Sequence, residues 1–490
     1  MYDVVVVGAG AAGCVLAARL AASGSHSVLL LEAGPDLRGS VPHALRDGWG
    51  LSRDFDWGFE SEPDEHGVVQ PVRRGKLVGG TSWMTRFAVR GSPADFDAWA
   101  AMGNVGWTSD DVLPYFTKLE SDADFGDAPW HGDGGPIPIR RYLELEPTEI
   151  HAALQSALAQ VGFQWVDDHN RPGAVGAGRM PMSSNDGLRV TAADAYLPDD
   201  STPTNLTIRP DTQVADLIFD GIRVTGVRLV DGTFERARCV VLAAGTYSSP
   251  AILMRSGIGP ADHLRSVGVA VRHDLRGVGA NLADHPGVEI ETGYRGPARD
   301  TPILHSIATF HSAHVASDGP PDLMLWLYDP LGSPPMTSIE VVLMKPRSRG
   351  SVRLRSADPL DAPRIELPKL RDPSDVDRLA EGYRRGMEVA NRPEIRRLCG
   401  EAATPEALGA DEARRVVRET AYSVPHVVGT CAMGTSPDEG AVVDARGRVH
   451  GTEALFIVDA SIMPDAPSGF PHIVTIMMAE RLSEQIAALL

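Results

Sequence analysis

The sequence predicts an α/β fold: a parallel sheet covered by helices, with a second layer of α+β character joined to it. Three observations predict it. Val4 to Val7 are four β-branched residues in a row that run into Gly8, Gly10 and Gly13, as a strand buried on both faces does when it turns tightly into a helix. Cys239 to Leu242 is a second continuous apolar stretch, ending in Ala243-Ala244-Gly245, and Leu455 to Val458 is a third, stopping at Asp459. Between the second and third, Leu323 to Leu327 and Ile339 to Met344 read as antiparallel strands in a region, Val288 to Arg355, with little helical periodicity.

The first thirty-four residues carry the strongest pattern. Small residues follow the glycines from Ala11 to Ala22, with Leu16 and Leu20 spaced for a helix packed on a sheet, and Val28 to Leu31 forms the next strand, ending at Glu32. The first glycine permits the turn, the second lets the backbone approach a pyrophosphate, and the third lets helix and strand pack closely. The helix N-terminus suits the phosphates, and a carboxylate about twenty residues on accepts from a ribose hydroxyl. This is a dinucleotide site rather than a bare βα turn, because strand, helix, strand and acid are all in register. Glu32 disfavours a 2′-phosphate, hence NADP.

The rest follows in order. A loop rich in Gly, Pro and Trp reaches Pro71, and Arg74-Gly75-Lys76-Leu77-Val78-Gly79-Gly80-Thr81-Ser82 offers a second close backbone approach to a ligand. Ser92 caps a helix from Pro93, and Thr108 or Ser109 caps another to about Glu120. From about Pro136 to Pro198 the character changes, with a helix near Glu146 to Val161. Leu206–Arg209, Val214–Phe219 and Val224–Val230 read as strands, the last two bounded by Asp-Gly turns. Helices follow at Ser374–Ala390 and Pro405–Glu419, and an amphipathic helix runs from Pro471 to Leu490 through Ile476, Ala479, Leu482 and Ile486. No single point divides the chain. We expect one unit from 1–135, 199–287 and 425–490, and an inserted unit from 136–198 and 288–424, built on an antiparallel sheet covered by helices.

Composition bounds the function. At 490 residues the chain exceeds one hydrophobic core, and 43% hydrophobic with 23% charged residues is ordinary for a globular protein. A net charge of −19 disfavours nucleic acid and anionic membranes as partners. The four cysteines are scattered without a C-x-x-C pair, as expected for buried thiols in a reducing compartment. There is no apolar run of membrane-spanning length and no room for a cleaved signal before the first strand, so a cytoplasmic protein is expected.

Two segments near the C-terminus carry candidate chemistry: Ser423-Val424-Pro425-His426-Val427-Val428-Gly429, and Asp459-Ala460-Ser461 leading through Pro467-Ser468-Gly469-Phe470-Pro471-His472 into the last helix. A histidine at a helix start is kept neutral by the dipole. Here the chain resembles the glucose–methanol–choline (GMC) oxidoreductases, FAD-dependent alcohol oxidases and dehydrogenases. The likeness spans nearly its full length through "VVVVGAGAAG…LLLEAG", "RGKLVGGTS", "VRGSPADFDAWA", "VVLAAGTYSSPAILMRSGIGP", "GVGANLADHP", "HVVGTCAMG" and "LFIVDASIMPDAPSG". The resemblance implies a Rossmann-like FAD-binding domain with an inserted substrate domain. It puts Gly8, Gly10, Ala11, Ala12, Gly13, Glu32 and Ala33 at the ADP half of FAD, with Val214 at the adenine. Gly79, Gly80, Thr81 and Ser82 fall on the flavin side, Ala243, Ala244 and Gly245 against the cofactor backbone, and Asp459 and Ala460 at the diphosphate–ribityl region. His472, Ile473 and Thr475 fall at the flavin edge.

The family's catalytic pair falls on His426 and His472. An alkoxide-like oxygen expels hydride readily, so His426 is expected to take the hydroxyl proton while His472 holds the same oxygen with the carbon hydrogen facing flavin N5. The expected activity is oxidation of a CH–OH group of a small alcohol, with dioxygen, a quinone or a protein as electron acceptor. The alternative is a non-redox flavoprotein of the same fold, resembling hydroxynitrile lyases or photodecarboxylases. Two departures stand out: Thr81-Ser82-Trp83-Met84-Thr85-Arg86, where many members carry an Asn, and Phe470, where many carry another Asn. No histidine occurs in the first of these, so FAD is expected to be bound non-covalently. His285 is expected to serve a turn. His305, His311 and His314 read as strand or loop residues without a matching ligand set, and no metal is expected.

Overall fold

The structure is a computed structural model, describing residues 1–46, 53–197, 203–297, 306–330, 335–399 and 408–490. The expected α/β architecture is present. Its centre is a seven-stranded sheet in the order Val214–Asp220, Arg223–Leu229, Phe234–Leu242, Tyr2–Val7, Val28–Leu31, Leu206–Arg209, with Leu455–Ile457 also pairing with Phe234–Leu242. The first strand is parallel to both neighbours, Val4 facing Cys239 on one side and Val28 on the other. Val4 to Val7 and Val28 to Leu31 are buried on both faces, which is why they read as unbroken apolar runs.

The strand expected from Cys239 begins earlier, at Phe234. Its first half alternates exposed and buried residues and pairs antiparallel with Arg223–Leu229, whereas its second half is wholly buried beside Tyr2–Val7. One strand therefore serves both a solvated hairpin and a covered parallel sheet, and only the second half looks apolar.

The helix Ala11–Ala22 starts at the third glycine's turn. A Cβ on Gly13 would sit 1.8 Å from the carbonyl oxygen of Gly8, so only glycine allows the helix to approach the strand this closely. The last helix, Pro471–Ala487, packs along Ala11–Ala22. It ends three residues short of the expected terminus, at Ala487.

The second layer is also seven-stranded, in the order Tyr422–Ser423, Pro286–Gly293, Met336–Leu343, Leu323–Leu327, Ile307–Phe310, Gly176–Gly178, Trp165–Val166. Every pairing in it is antiparallel except the last. Pro373–Ala390 covers one face, and the two sheets have separate apolar cores. The helix expected from Glu146 starts at Glu149 because Thr148 caps it, its hydroxyl accepting from the His151 N–H. Thr108, not Ser109, caps Ser109–Leu119. Of the helix expected at Pro405–Glu419, residues 405–407 lie outside the described residues, and Ala410–Thr420 is helical. All four cysteines are buried free thiols, and burial pushes the Cys239 thiol up to about 12.

Gly13→Ala is expected to destabilise the protein by about 3 kcal/mol through overpacking, read as a lower denaturation midpoint in urea. An unchanged midpoint would show that the helix can shift.

Candidate active site

Between the two layers lies a cavity of about 650 Å³. Its wall includes Gly8, Gly10, Ala11, Ala12, Glu32, Ala33, Gly80, Thr81, Ser82, Val214, Ala243, Ala244, Gly245, Asp459, Ala460, His472 and Thr475, together with His426. Three residues expected at the cofactor do not line it. Gly13 lies behind the wall, where it admits the helix. Gly79 donates its N–H to the Ala9 carbonyl at 2.7 Å, supporting the turn from outside. Ile473 points into the apolar core.

One end of the cavity has the shape of a nucleotide cradle. A Cβ on Gly10 would meet nothing within 4 Å, so the backbone there faces open space. A Cβ on Gly80 would sit 2.8 Å from Gly10 Cα, with φ at +52°, so the double-glycine segment closes on the glycine loop only because both lack side chains. Glu32 is held between the glycine loop and its own strand exit: Oε2 accepts from the Ala9 N–H at 2.9 Å and Oε1 from the Gly34 N–H at 3.0 Å. Burial nevertheless raises its carboxyl to about 7, against the lowering by those N–H groups. Donation from a ribose hydroxyl would relieve that cost. Asp459 works as a clasp. Its Oδ2 accepts from the Gly245 N–H at 2.9 Å and the Ser249 hydroxyl at 2.6 Å, and its Oδ1 from the Ser461 N–H at 2.8 Å. It thus locks the ends of two parallel strands around the cavity. Ser82 donates its hydroxyl to the Gly79 carbonyl, and Thr81 accepts from the Gly75 N–H at 3.3 Å. These residues fit a dinucleotide cofactor.

The other end holds the imidazoles. His472 sits in the first turn of the last helix, where burial and the Arg189 charge lower its pKa to about 4. Its Nε2 has no hydrogen-bond partner. His426 lies far below the usual histidine range because of burial, the neighbouring His285 and the Arg74 charge. Both rings are therefore neutral at pH 7. Phe470 packs edge-to-face on His426 with centroids 5.2 Å apart and also meets Phe87 at 5.0 Å. The segment before it is anchored by Asp95, whose Oδ2 accepts from the Ser468 N–H at 2.8 Å and the Ser468 hydroxyl at 2.6 Å. Phe470 thus forms a wall of the imidazole chamber.

His285 does not serve a turn, which corrects the expectation. It lies buried just before the strand Pro286–Gly293, with Nδ1 3.1 Å from Nδ1 of His426. The turn reading came from the neighbouring Asp and Pro, which instead mark the entry to a strand. Of the three other histidines singled out, His311 and His314 are in a loop, and His305 lies outside the described residues.

Several wall side chains were given no role of their own by the sequence. Arg74 stacks over Tyr247 at 5.0 Å and Lys76 over Trp57 at 4.7 Å, so two cations line the cavity on aromatic supports. Glu340 accepts from the Tyr422 hydroxyl, and burial raises its carboxyl to about 7. Trp326 and Tyr328 flank it in the same wall. Only the Arg-Gly-Lys run carried a signal; Glu340 sits inside an apolar strand and gave none. Among the described residues, Glu120, Asp122 and His131 come close enough to hold a metal ion. Arg90 pairs with Glu120, and Arg141 bridges Asp122 at 2.8 Å and Asp168 at 2.7 Å. Guanidinium groups thus already neutralise the cluster.

Family models described as GMC oxidoreductase match residues 2–287 and 346–479. The chain is 35% identical to 5-(hydroxymethyl)furfural oxidase of Methylovorus sp. (strain MP688), covering 99% of this chain and 98% of that protein. It is 33% identical to choline oxidase of Arthrobacter globiformis, over 99% and 94% respectively. Among solved structures, pyridoxine 4-oxidase from Mesorbium loti superposes with a TM-score of 0.90 at 31% identity, covering 99% of this chain and 98% of that one.

Glu32→Ala is expected to weaken FAD binding about 10- to 100-fold, the scale of a lost hydrogen bond to a charged group. Flavin fluorescence titration of the stripped protein measures this; an unchanged dissociation constant would remove Glu32 from the cofactor site.

Proposed function

The chain belongs to the GMC oxidoreductase family, and from that premise we propose that it is an FAD-dependent oxidoreductase that oxidises the CH–OH group of a small alcohol, with His426 as the base. The observation that carries this reading is that two neutral imidazoles, from the C-terminal part of the chain, share one cavity with the N-terminal glycine cradle. In it the segments 1–135, 199–287 and 425–490 hold FAD, and 136–198 with 288–424 shape the alcohol pocket.

When bound, FAD supplies the two-electron acceptor for the hydride that leaves the carbinol carbon. The protein's part is to hold, orient and deprotonate. The Gly8–Ala12 turn and the Ala11–Ala22 helix N-terminus hold the diphosphate, and Lys76 brings a cation to the Glu32 end in a chain of net charge −19. Gly80, Thr81 and Ser82 lie on the flavin side. His426 accepts the hydroxyl proton as the C–H bond breaks. His472, neutral in its helix N-terminal turn, donates to the same oxygen and fixes the carbon's approach. Phe470 and Phe87 exclude water from that end.

The family likeness to proteins named as oxidases supports dioxygen as acceptor. No histidine occurs between Arg74 and Arg90, which supports non-covalent FAD. Four buried free thiols fit a reducing cytoplasm.

Three measurements test the reading. His426→Ala should slow anaerobic flavin bleaching by an active alcohol by about 10²–10⁴-fold. In the unmodified enzyme the rate should stay level as pH falls through 6.5, because the base is still unprotonated there. An effect below about threefold would move the base elsewhere. Acid precipitation should release the yellow colour into the supernatant, and colour kept in the pellet would show a covalent bond.

A further inference from the structure

The mechanism leaves one buried imidazole beside the site without a task. His285 is fully shielded and outside the cavity wall, yet its Nδ1 lies 3.1 Å from Nδ1 of His426. The rings meet edge to face, with centroids 5.2 Å apart and planes at 85°. Backbone and side chains clamp the two together. The His426 N–H donates to Asp284 Oδ1 at 2.8 Å, the Val424 N–H to the His285 carbonyl at 3.1 Å, and the Ser423 hydroxyl to Asp284 Oδ2. Pro286 pairs with Ser423 across the same edge.

Two ring nitrogens at that distance share one proton: one donates and the other accepts. The direction decides what His426 can do. Were His285 the donor, neutral His426 would carry its proton on Nε2 and could accept nothing there. With His426 donating from Nδ1, its Nε2 is bare. The carbonyls of Pro467 and Met344 beside the His285 ring favour a proton on it. With Nδ1 engaged by His426, Nε2 is the nitrogen left to carry that proton, although neither carbonyl closes a full hydrogen bond to it.

We propose that His285 is a positioning residue that accepts the Nδ1 proton of His426 and so fixes the tautomer whose unprotonated Nε2 meets the alcohol hydroxyl. This rests on His426 being the base. The other groups facing the pair are Arg74, which donates to the Pro425 carbonyl at 3.1 Å, Asp284 at the His426 N–H, Lys345 toward His285, and the Phe470 ring. None of these can accept a proton from His426 Nδ1 while His285 occupies that position.

The test uses flavin-loaded protein and two variants. His285→Asn keeps an amide oxygen as acceptor, and His285→Leu keeps none. The probes are 5-(hydroxymethyl)furfural, choline and benzyl alcohol, and rates are followed with whichever bleaches the flavin. His285→Leu is expected to slow bleaching about 10- to 100-fold, the usual effect of losing a partner that orients a functional histidine, with the alcohol dissociation constant changed less than about threefold. Its acid limb should move to lower pH, because without an acceptor at Nδ1 the His426 imidazolium is less stabilised. His285→Asn should recover most of the rate. Equal damage in both variants, or an unmoved acid limb, would reduce His285 to a packing residue and overturn the proposal.

A readout independent of turnover is the tautomer itself. In protein labelled with ¹⁵N-histidine, long-range ¹⁵N–¹H correlations assigned with His426→Ala and His285→Asn should show His426 protonated at Nδ1 and His285 at Nε2; the reverse pattern overturns the proposal. If His426→Ala does not slow bleaching, the base assignment itself falls. If it does while His285→Leu keeps the original rate, only the role of His285 falls.

Discussion

The contact between the first and last helices decides where everything else can sit. Glu480 on Pro471–Ala487 is wholly buried and receives Arg19 of Ala11–Ala22 through Nη2 at 2.7 Å and Nε at 2.9 Å. The Tyr196 hydroxyl donates to it at 2.8 Å, and Lys118 reaches it at 3.2 Å. A carboxylate with so many donors is tolerable in the interior only in one arrangement, because a missing partner strands a buried charge. The pair therefore sets the register of the last helix against the first, and His472 at the start of that helix is aimed by it.

Charge within the cavity opposes the charge of the molecule. A chain of net charge −19 places Lys76 near Glu32 in the cradle and Arg74 beside His426. The imidazole end also holds an acid. Glu340 has tyrosine and tryptophan neighbours, and burial raises its carboxyl to about 7. The end where an alcohol enters thus brings together a cation, Arg74, two imidazoles and a buried acid, Glu340.

Much of this was legible in the residues, for identifiable reasons. Buried parallel strands read as apolar runs, so Val4–Val7, Val28–Leu31 and Leu455–Ile457 were found nearly to the residue. Capped helices such as Pro93–Ala101 were found because capping is local. What failed was non-local. The early start of Phe234–Leu242 depends on a neighbour strand that supplies a solvated face. His285 looked like a turn residue because its contact with His426 spans 141 positions, and no local pattern encodes it. Glu340 was hidden because a strand buried on both faces gives no sign that one polar residue faces a cavity. Gly13 and Ile473 read as ligand contacts because they adjoin ones, yet each is a layer behind the wall.

The cavity draws its wall from Val7 at one extreme to Thr475 at the other. A polypeptide still emerging from the ribosome therefore has the glycine turn long before it has the chamber opposite. The complete wall exists only once the chain through Thr475 has folded. Until then the sheet edge that awaits Leu455–Ile457 stays open along Val240 to Leu242, an unpaired apolar border of the kind that chaperones cover.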